Sequence, residues 1–175
     1  TSEGGSYAYD FDGVNDYIDL GNVLNITSEI SVSAWVKLDV LSTNRTIIQK
    51  QYDGSVEPYN FRVAGDGELN FYSYALSGNV NNGVFNQSSG DISTGTWYHT
   101  FASYDGTKWS TYINGVKISE SIDSQGPRLN SGVLSVGASR QAATYLQFFD
   151  GYMDDIRIFD RALTQAEITH LATSR

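Results

Sequence analysis

The stretch over residues 150–160 limits this chain more than any other, because it combines an apolar alternation with a charge that has to be accommodated. Ile156 and Ile158 share a face, and the period of two along a strand places Tyr152 and Asp154 on that same face. If the isoleucines point into a core, Asp154 goes with them. An isolated ionised carboxylate is too costly to bury, so Asp154 must then meet a cation, several N–H donors or a metal. The alternative is a bulge at Asp154-Asp155 that lets both acids reach water. Just downstream, Thr164-Gln165-Ala166-Glu167 has the spacing of a capping box, with Ile168 and Leu171 behind it as an apolar stripe. A short C-terminal helix is expected to follow the strand.

The remainder reads as short strands and turns. Tyr7, Tyr9 and Phe11 alternate with Ala8 and Asp10, Asp12-Gly13 offers a turn, and Tyr17-Ile18-Asp19-Leu20 returns. Residues 30–38 alternate Ile30, Val32, Ala34 and Val36 with Ser31, Ser33, Trp35 and Lys37, a half-buried pattern that leaves Trp35 to pack against a second layer. Further strands are expected over 46–50, 59–63 and 68–74, divided by Asp53-Gly54, Pro58 and the turn at 64–67. Strands over 97–104 and 108–113 flank Asp105-Gly106, and Ile113 meets Val116 across Asn114-Gly115, the strongest hairpin signal in the chain. Residues 78–90 read as a polar loop with room for one short edge strand, 133–138 as a strand and 139–147 as a loop. With 175 residues, no cysteine and no internal repeat, one domain spanning 1–175 is expected, large enough to bury its core without disulfides.

Eleven basic against twenty acidic residues give a formal net charge of −9, which repels nucleic acid and anionic membranes. No apolar run approaches the roughly 20 residues that span a bilayer. The first five residues lack the blocks of a signal peptide and the chain does not begin with Met. It therefore reads as one domain of a larger, secreted, extracellular protein.

The closing stretch FDGYMDDIRIFDRALTQAEI and the opening Tyr9-Asp10-Phe11-Asp12-Gly13-Val14-Asn15-Asp16-Tyr17-Ile18 resemble the two ends of laminin G-like, concanavalin A-like domains, and residues 30–37, 95–99 and 112–115 resemble that family too. The resemblance implies an all-β fold, a two-sheet antiparallel β-sandwich (jelly roll) with its first and last strands adjacent and a short C-terminal helix. It spans lectins, carbohydrate-binding modules, adhesion domains and parts of enzymes, so the fold by itself selects no function. Family members often hold calcium where the terminal strands meet. Asp12, Asp16 and Asp154 are the candidate ligands here, oxygen donors that suit Ca2+ in a structural role. The competing reading is that Asp-Gly and Asn-Asp serve turn chemistry without an ion.

Strand parity supplies the candidate binding face. If Phe61, Val63, Leu69 and Phe71 point inward, Asn60, Arg62, Asn70, Tyr72 and Tyr74 share the outer surface, and Lys50, Tyr52, Arg140 and Tyr145 are rim candidates from flanking loops. Rings that stack on sugar C–H groups, beside amides and a guanidinium for hydroxyls, suit a polysaccharide or oligosaccharide. A competing location is the loop around Arg140 and Tyr145, and the plainer account is that Tyr favours strands anyway. Catalysis finds little support. The Glu-x-Asp-x-x-Glu run of laminarinase-type enzymes of this fold is missing, and Tyr98 and His99 are neighbours pointing to opposite faces. A non-catalytic carbohydrate-binding module, accessory to a secreted polysaccharide-degrading enzyme, is expected. The alternatives are a protein-binding adhesion or receptor domain and, less favoured, a glycoside hydrolase or polysaccharide lyase.

Overall fold

A computed structural model describes residues 7–75, 80–85 and 91–174. In chain order the strands are β1 Tyr9–Asp12, β2 Ile18–Asp19, β3 Ile30–Leu38, β4 Arg45–Lys50, β5 Val56–Val63, β6 Leu69–Ala75, β7 Val80–Val84, β8 Tyr98–Tyr104, β9 Lys108–Ile113, β10 Val116–Ile122, β11 Leu134–Val136, β12 Ser139–Gln141, β13 Thr144–Leu146 and β14 Asp150–Phe159, followed by helix α1 Gln165–Thr173. One six-stranded antiparallel sheet runs β1-β14-β3-β8-β9-β10 and faces a second of order β2-β11-β4-β5-β6-β7. The result is the expected jelly roll, with β1 paired to β14.

Alternation builds the core. Ile30, Val32, Ala34, Val36 and Leu38 of β3 point inward and are fully buried, meeting Phe61 and Val63 of β5 and Phe71 of β6. Trp109 of β9 fills the centre, its ring 5.1 Å from Phe71 and 4.7 Å from Tyr104. Ser31 and Ser33, on the outward side of β3, are buried as well, for a different reason. Ser31 Oγ donates to Arg161 O at 2.8 Å and accepts from Leu163 N at 3.1 Å, which ties the strand to the segment entering α1. Leu163, Ile168 and Leu171 then cover Phe101 and Tyr112 on the outside of the first sheet. The capping box of Thr164 and Glu167 is present, and Glu167 also takes Arg161 at 2.6 Å. At Asn114-Gly115 both residues have positive φ, 51° and 80°, as a two-residue hairpin between paired Ile113 and Val116 requires.

The closing strand departs from simple alternation. Its register on β3 shifts between Asp154 and Arg157, where Asp155 has φ 48°. The shift is a bulge, and it reverses the parity. Met153 and Ile158 both face the core, while Tyr152 and Asp154 face outward, so the carboxylate does not follow the isoleucines inward. Asp154 Oδ1 accepts from Asp155 N at 2.8 Å.

Two other expectations change. Residues 139–147 form the β12–β13 hairpin instead of a loop. Trp35 points away from the core, its ring 5.5 Å from buried His99. Within 78–90 the edge strand that the sequence left room for forms as β7, and 76–79 and 86–90 lie outside the described residues.

Candidate functional site

The outer face of the second sheet carries three cross-strand rows. Thr46, Arg62 and Asn70 make the first, Gln49, Asn60 and Tyr72 the second, and Glu57 with Tyr74 the third. Residues directly opposite lie about 5 Å apart at Cβ, so each row is a continuous polar and aromatic strip. All five face residues expected from parity are brought together. Gln49 and Glu57 were not anticipated, because two bulges put them there. The register shifts between Thr46 and Ile48, so Ile47 and Ile48 both turn inward and Gln49 turns outward. It shifts again between Glu57 and Asn60, where Pro58 has no N–H to give the ladder, and Glu57 joins the Tyr74 row. A proline inside an otherwise continuous strand was the available signal.

Glu57 is the hub of this face. Its Oε1 accepts from Asn60 Nδ2 at 2.7 Å and from Gln49 Nε2. Burial pushes its carboxyl above the ordinary range, opposed by the Asn60 and Gln49 amides, the Arg62 charge and the Tyr72 hydroxyl. With the amide N–H groups turned to Glu57, Gln49 Oε1 accepts from the backbone of Arg140, and Asn60 Oδ1 faces away. Asn60 Oδ1, Asn70 Nδ2, Arg62 Nε and Thr46 Oγ1 are buried and find no hydrogen-bond partner among the described residues. A buried polar atom left unsatisfied costs about 1–3 kcal/mol.

The rings are placed differently from an open platform. Tyr72 is only 9% exposed, with Arg62 over its ring at 5.0 Å and Phe85 edge-on at 6.0 Å. Gly83, opposite Tyr72 on β7, has φ 146°, and a Cβ there would lie 2.3 Å from Phe71 O, so β7 can only approach this closely without a side chain. The half-buried rings are those of Tyr74 and Tyr52, 5.8 Å apart.

The β12–β13 hairpin forms a wall beside this face. Tyr52 N donates to Arg140 O at 3.2 Å and Thr46 N to Gln147 O at 3.1 Å, which fixes the hairpin against β4. Tyr145 stacks on Tyr17 with centroids 3.8 Å apart and donates to Asp19 Oδ2 at 2.7 Å. Burial and this hydrogen bond push the Tyr145 hydroxyl up to about 12, and the same bond holds Asp19 below the usual carboxylate range. Arg140 lies over Tyr145 at 5.2 Å and 3.6 Å from Asp19. Gln49 joins hairpin and floor, so face and wall are contiguous.

Lys50 does not belong to the rim. Its partner across the sheet is Tyr59, on the inward side, and its ammonium donates to Asn22 Oδ1 at 2.9 Å and Val23 O at 2.8 Å. It is the last residue of β4 and faces inward, and burial lowers its pKa.

The proposed calcium ligands do not converge. Asp12 Oδ1 already accepts from the backbone N–H of Val14, Asn15 and Asp16 at 2.8, 3.0 and 3.3 Å, and Asp16 Oδ2 accepts from Asp12 N at 3.0 Å. Asp12 pairs with Asp150, four residues before Asp154, so Asp154 is displaced by roughly 13 Å along the strand. Where the terminal strands meet, the protein supplies its own cation. Arg45 donates to Val40 O, to Phe148 O and, at 3.4 Å, to Asp150. Among the described residues no three carboxylates or histidines come together as a metal site. The melting temperature is accordingly expected to be insensitive to EGTA. A fall on chelation that added calcium reverses would restore a metal to this end.

A cleft of about 390 Å3 between α1 and β14, lined in part by Phe159, Leu163 and Leu171, lies on the other sheet, and its cations are taken by Asp155 and Glu167.

A family model described as the concanavalin A-like lectin/glucanases superfamily matches residues 12–169. Domain 4 of AbnA, a GH43 extracellular arabinanase from Geobacillus stearothermophilus solved in complex with arabinotriose, is 27% identical over 95% of this chain and 76% of that one, with TM-score 0.76. The CBM40 of Ruminococcus gnavus IT-sialidase is 10% identical, covering 96% of this chain and all of that one, with TM-score 0.77. A heptameric SAP-like pentraxin from Limulus polyphemus is 18% identical over 94% and 80% of the two chains, with TM-score 0.71. No curated protein matches.

Proposed function

The chain belongs to the concanavalin A-like lectin/glucanase superfamily, and from that premise we propose that it is a non-catalytic carbohydrate-binding module, which binds an oligosaccharide or polysaccharide on the outer face of its second sheet. The observation that carries this reading is the grouping of Asn60, Arg62 and Asn70 with Tyr72 and Tyr74 in adjoining cross-strand rows of one sheet face, amides and a guanidinium beside rings, the chemistry that suits sugar hydroxyls and C–H groups. Tyr74 and Tyr52 offer apolar ring surface beside them. The AbnA domain, solved with arabinotriose, and the sialidase CBM40 support a carbohydrate partner. They also support the setting proposed here, an accessory domain of a larger, secreted polysaccharide-degrading enzyme.

Two features favour binding over chemistry. Glycoside hydrolysis needs a pair of carboxylates roughly 5–10 Å apart, and the groups acting on Glu57 are amides, a guanidinium and a hydroxyl. A lyase of the Tyr-His type would need a histidine beside Tyr72. His99 lies in β8 and His170 in α1, both on the other sheet's side; His99 bonds Ser33 at 2.9 Å, and burial holds it down at about 4.

The test is calorimetric titration of the folded protein with arabinotriose and a panel of plant, algal and microbial oligosaccharides. Removing Arg62 takes away a charge-assisted hydrogen bond of about 1.5–3 kcal/mol, so Arg62→Ala is expected to weaken binding about 10- to 150-fold at unchanged melting temperature. Full affinity in Arg62→Ala together with loss in Arg140→Ala would move the site to the hairpin. A protein-binding reading has its own support in Val14, Tyr17, Leu20, Val23 and Leu24, each at least 42% exposed along one segment. Absence of binding to every sugar would favour it.

A further inference from the structure

The outer face of the first sheet, opposite the candidate site, holds a second aromatic surface. Asp10 of β1 is the cross-strand partner of Tyr152 in β14, and Tyr152 that of Lys37 in β3. Trp97, the residue before β8, continues that row, its ring 6.4 Å from Tyr152. The ammonium of Lys37 lies over the Tyr152 ring at 4.7 Å. One row further along, Trp35 faces outward opposite Asp154. Helix α1 covers this face where Phe101 and Tyr112 lie, and Trp35, Lys37, Trp97 and Tyr152 beyond it are each partly exposed, whereas Tyr72 on the other sheet is 9% exposed. The backbone fixes the approach of Trp97: Gly95 N donates to Leu38 O at 2.8 Å, and Gly95 has φ 77°.

Resting on the carbohydrate-binding reading for the class of ligand but not for its location, we propose that this strip is a second sugar-binding site, with Trp97 as the stacking ring, the Lys37 ammonium as donor and the Asp10 carboxylate as acceptor. The chemistry of the row selects the occupant. Carboxylate, ring, ammonium and ring follow one another, so the charges balance and draw neither a polyanion nor a polycation. The same alternation divides the apolar surface into separate rings, without the contiguous patch that a protein partner needs. A neutral sugar, whose C–H groups and hydroxyls alternate, complements it. The cation–π contact holds Lys37 and Tyr152 in place before a ligand arrives, which lowers the ordering cost of binding. The two sites lie on opposite sheets and point apart, so one molecule holds two separate glycan segments.

The experiment is calorimetric titration of the wild type, Arg62→Ala, Trp97→Ala and the double variant with arabinotriose, xylotriose and cellotriose, with the melting temperature of each protein recorded. The wild type is expected to take up two equivalents of at least one of these sugars, each single variant one, and the double variant none in the same concentration range, each substitution weakening its own site about tenfold or more. If Trp97→Ala does not fold, Trp97→Phe keeps a stacking ring and removes the optical signal. Of the three tryptophans Trp109 is fully buried, so the change in tryptophan fluorescence on adding sugar should fall in Trp97→Phe while uptake of two equivalents persists. A fluorescence response equal to that of the wild type overturns the proposal. One equivalent in the wild type, lost in Arg62→Ala and unaffected in Trp97→Ala, also overturns it and leaves the carbohydrate reading intact. One equivalent lost in Trp97→Ala and kept in Arg62→Ala upholds this site and overturns the location on the second sheet. No uptake by any form overturns both.

Discussion

A chain that stops at Phe149 is expected not to fold. It would lose β14, which lies between β1 and β3 in the first sheet, so β1 would have no neighbour and β3 would present an open edge to water. The removed part also takes out Met153, Leu163, Ile168 and Leu171, all buried. At about 1.5–3 kcal/mol for each buried apolar side chain, the four alone contribute about 6–12 kcal/mol, against a whole-domain stability of about 5–15 kcal/mol. The expected observation is a circular dichroism spectrum without native strand signal and a thermal scan without a cooperative transition. A truncated chain melting like the full one would sink the topology in which the two ends close the sandwich.

Arg45→Ala should be the most damaging single substitution near that closure. The guanidinium is nearly buried, its side chain 10% exposed, and its three contacts point to three separate places: Val40 O at 3.2 Å, Phe148 O at 2.8 Å and Asp150 at 3.4 Å. Removing one partner of a buried pair costs about 3–5 kcal/mol because the other charge is left behind. Asp150 keeps 23% exposure and can recruit water, so a loss of about 3 kcal/mol, at the low end, is expected. Arg45→Lys should recover only part of it, since a single ammonium cannot reproduce the planar fork that bridges separated acceptors. Urea unfolding measures this directly. A midpoint for Arg45→Ala within error of the wild type would mean that the two carbonyls and Asp150 are held by something else.

Much of the architecture was legible from residues alone, and for identifiable reasons. The Thr164 to Glu167 spacing and the Asn114-Gly115 pair are local signals, decided within a few residues, and both form as written. The face of Asn60, Arg62, Asn70, Tyr72 and Tyr74 was legible because 60–63 and 69–74 alternate without interruption. Gln49 and Glu57 were missed, and the inward alternative for Asp154 failed, for one common reason. Each sits at or next to a strand bulge, and alternation counted across a bulge gives the wrong side. Tyr72 was placed on the correct face but not at the correct depth, because what covers its ring, Arg62 and Phe85, is a tertiary arrangement. The Asp12, Asp16 and Asp154 grouping failed on distance along a strand, which no pairwise motif encodes.

The bulge at Pro58 has a consequence for how such a face can diversify. A strand with unbroken phase binds its two surfaces to one choice, since every residue granted to the outside fixes its neighbour inside. A phase break frees part of the strand from that coupling. Residues before the slip can be drawn from one alternation and residues after it from the other, so the outer surface acquires an acid at position 57 while Phe61 and Val63 keep the interior unchanged. Sliding the slip by a residue would rewrite the outer lettering of β5 without touching the hydrophobic content of the sandwich. In a scaffold of this kind the recognition surface can therefore vary by displacement as well as by substitution, and two relatives with similar cores can read different ligands through strands that differ only in where they lose step.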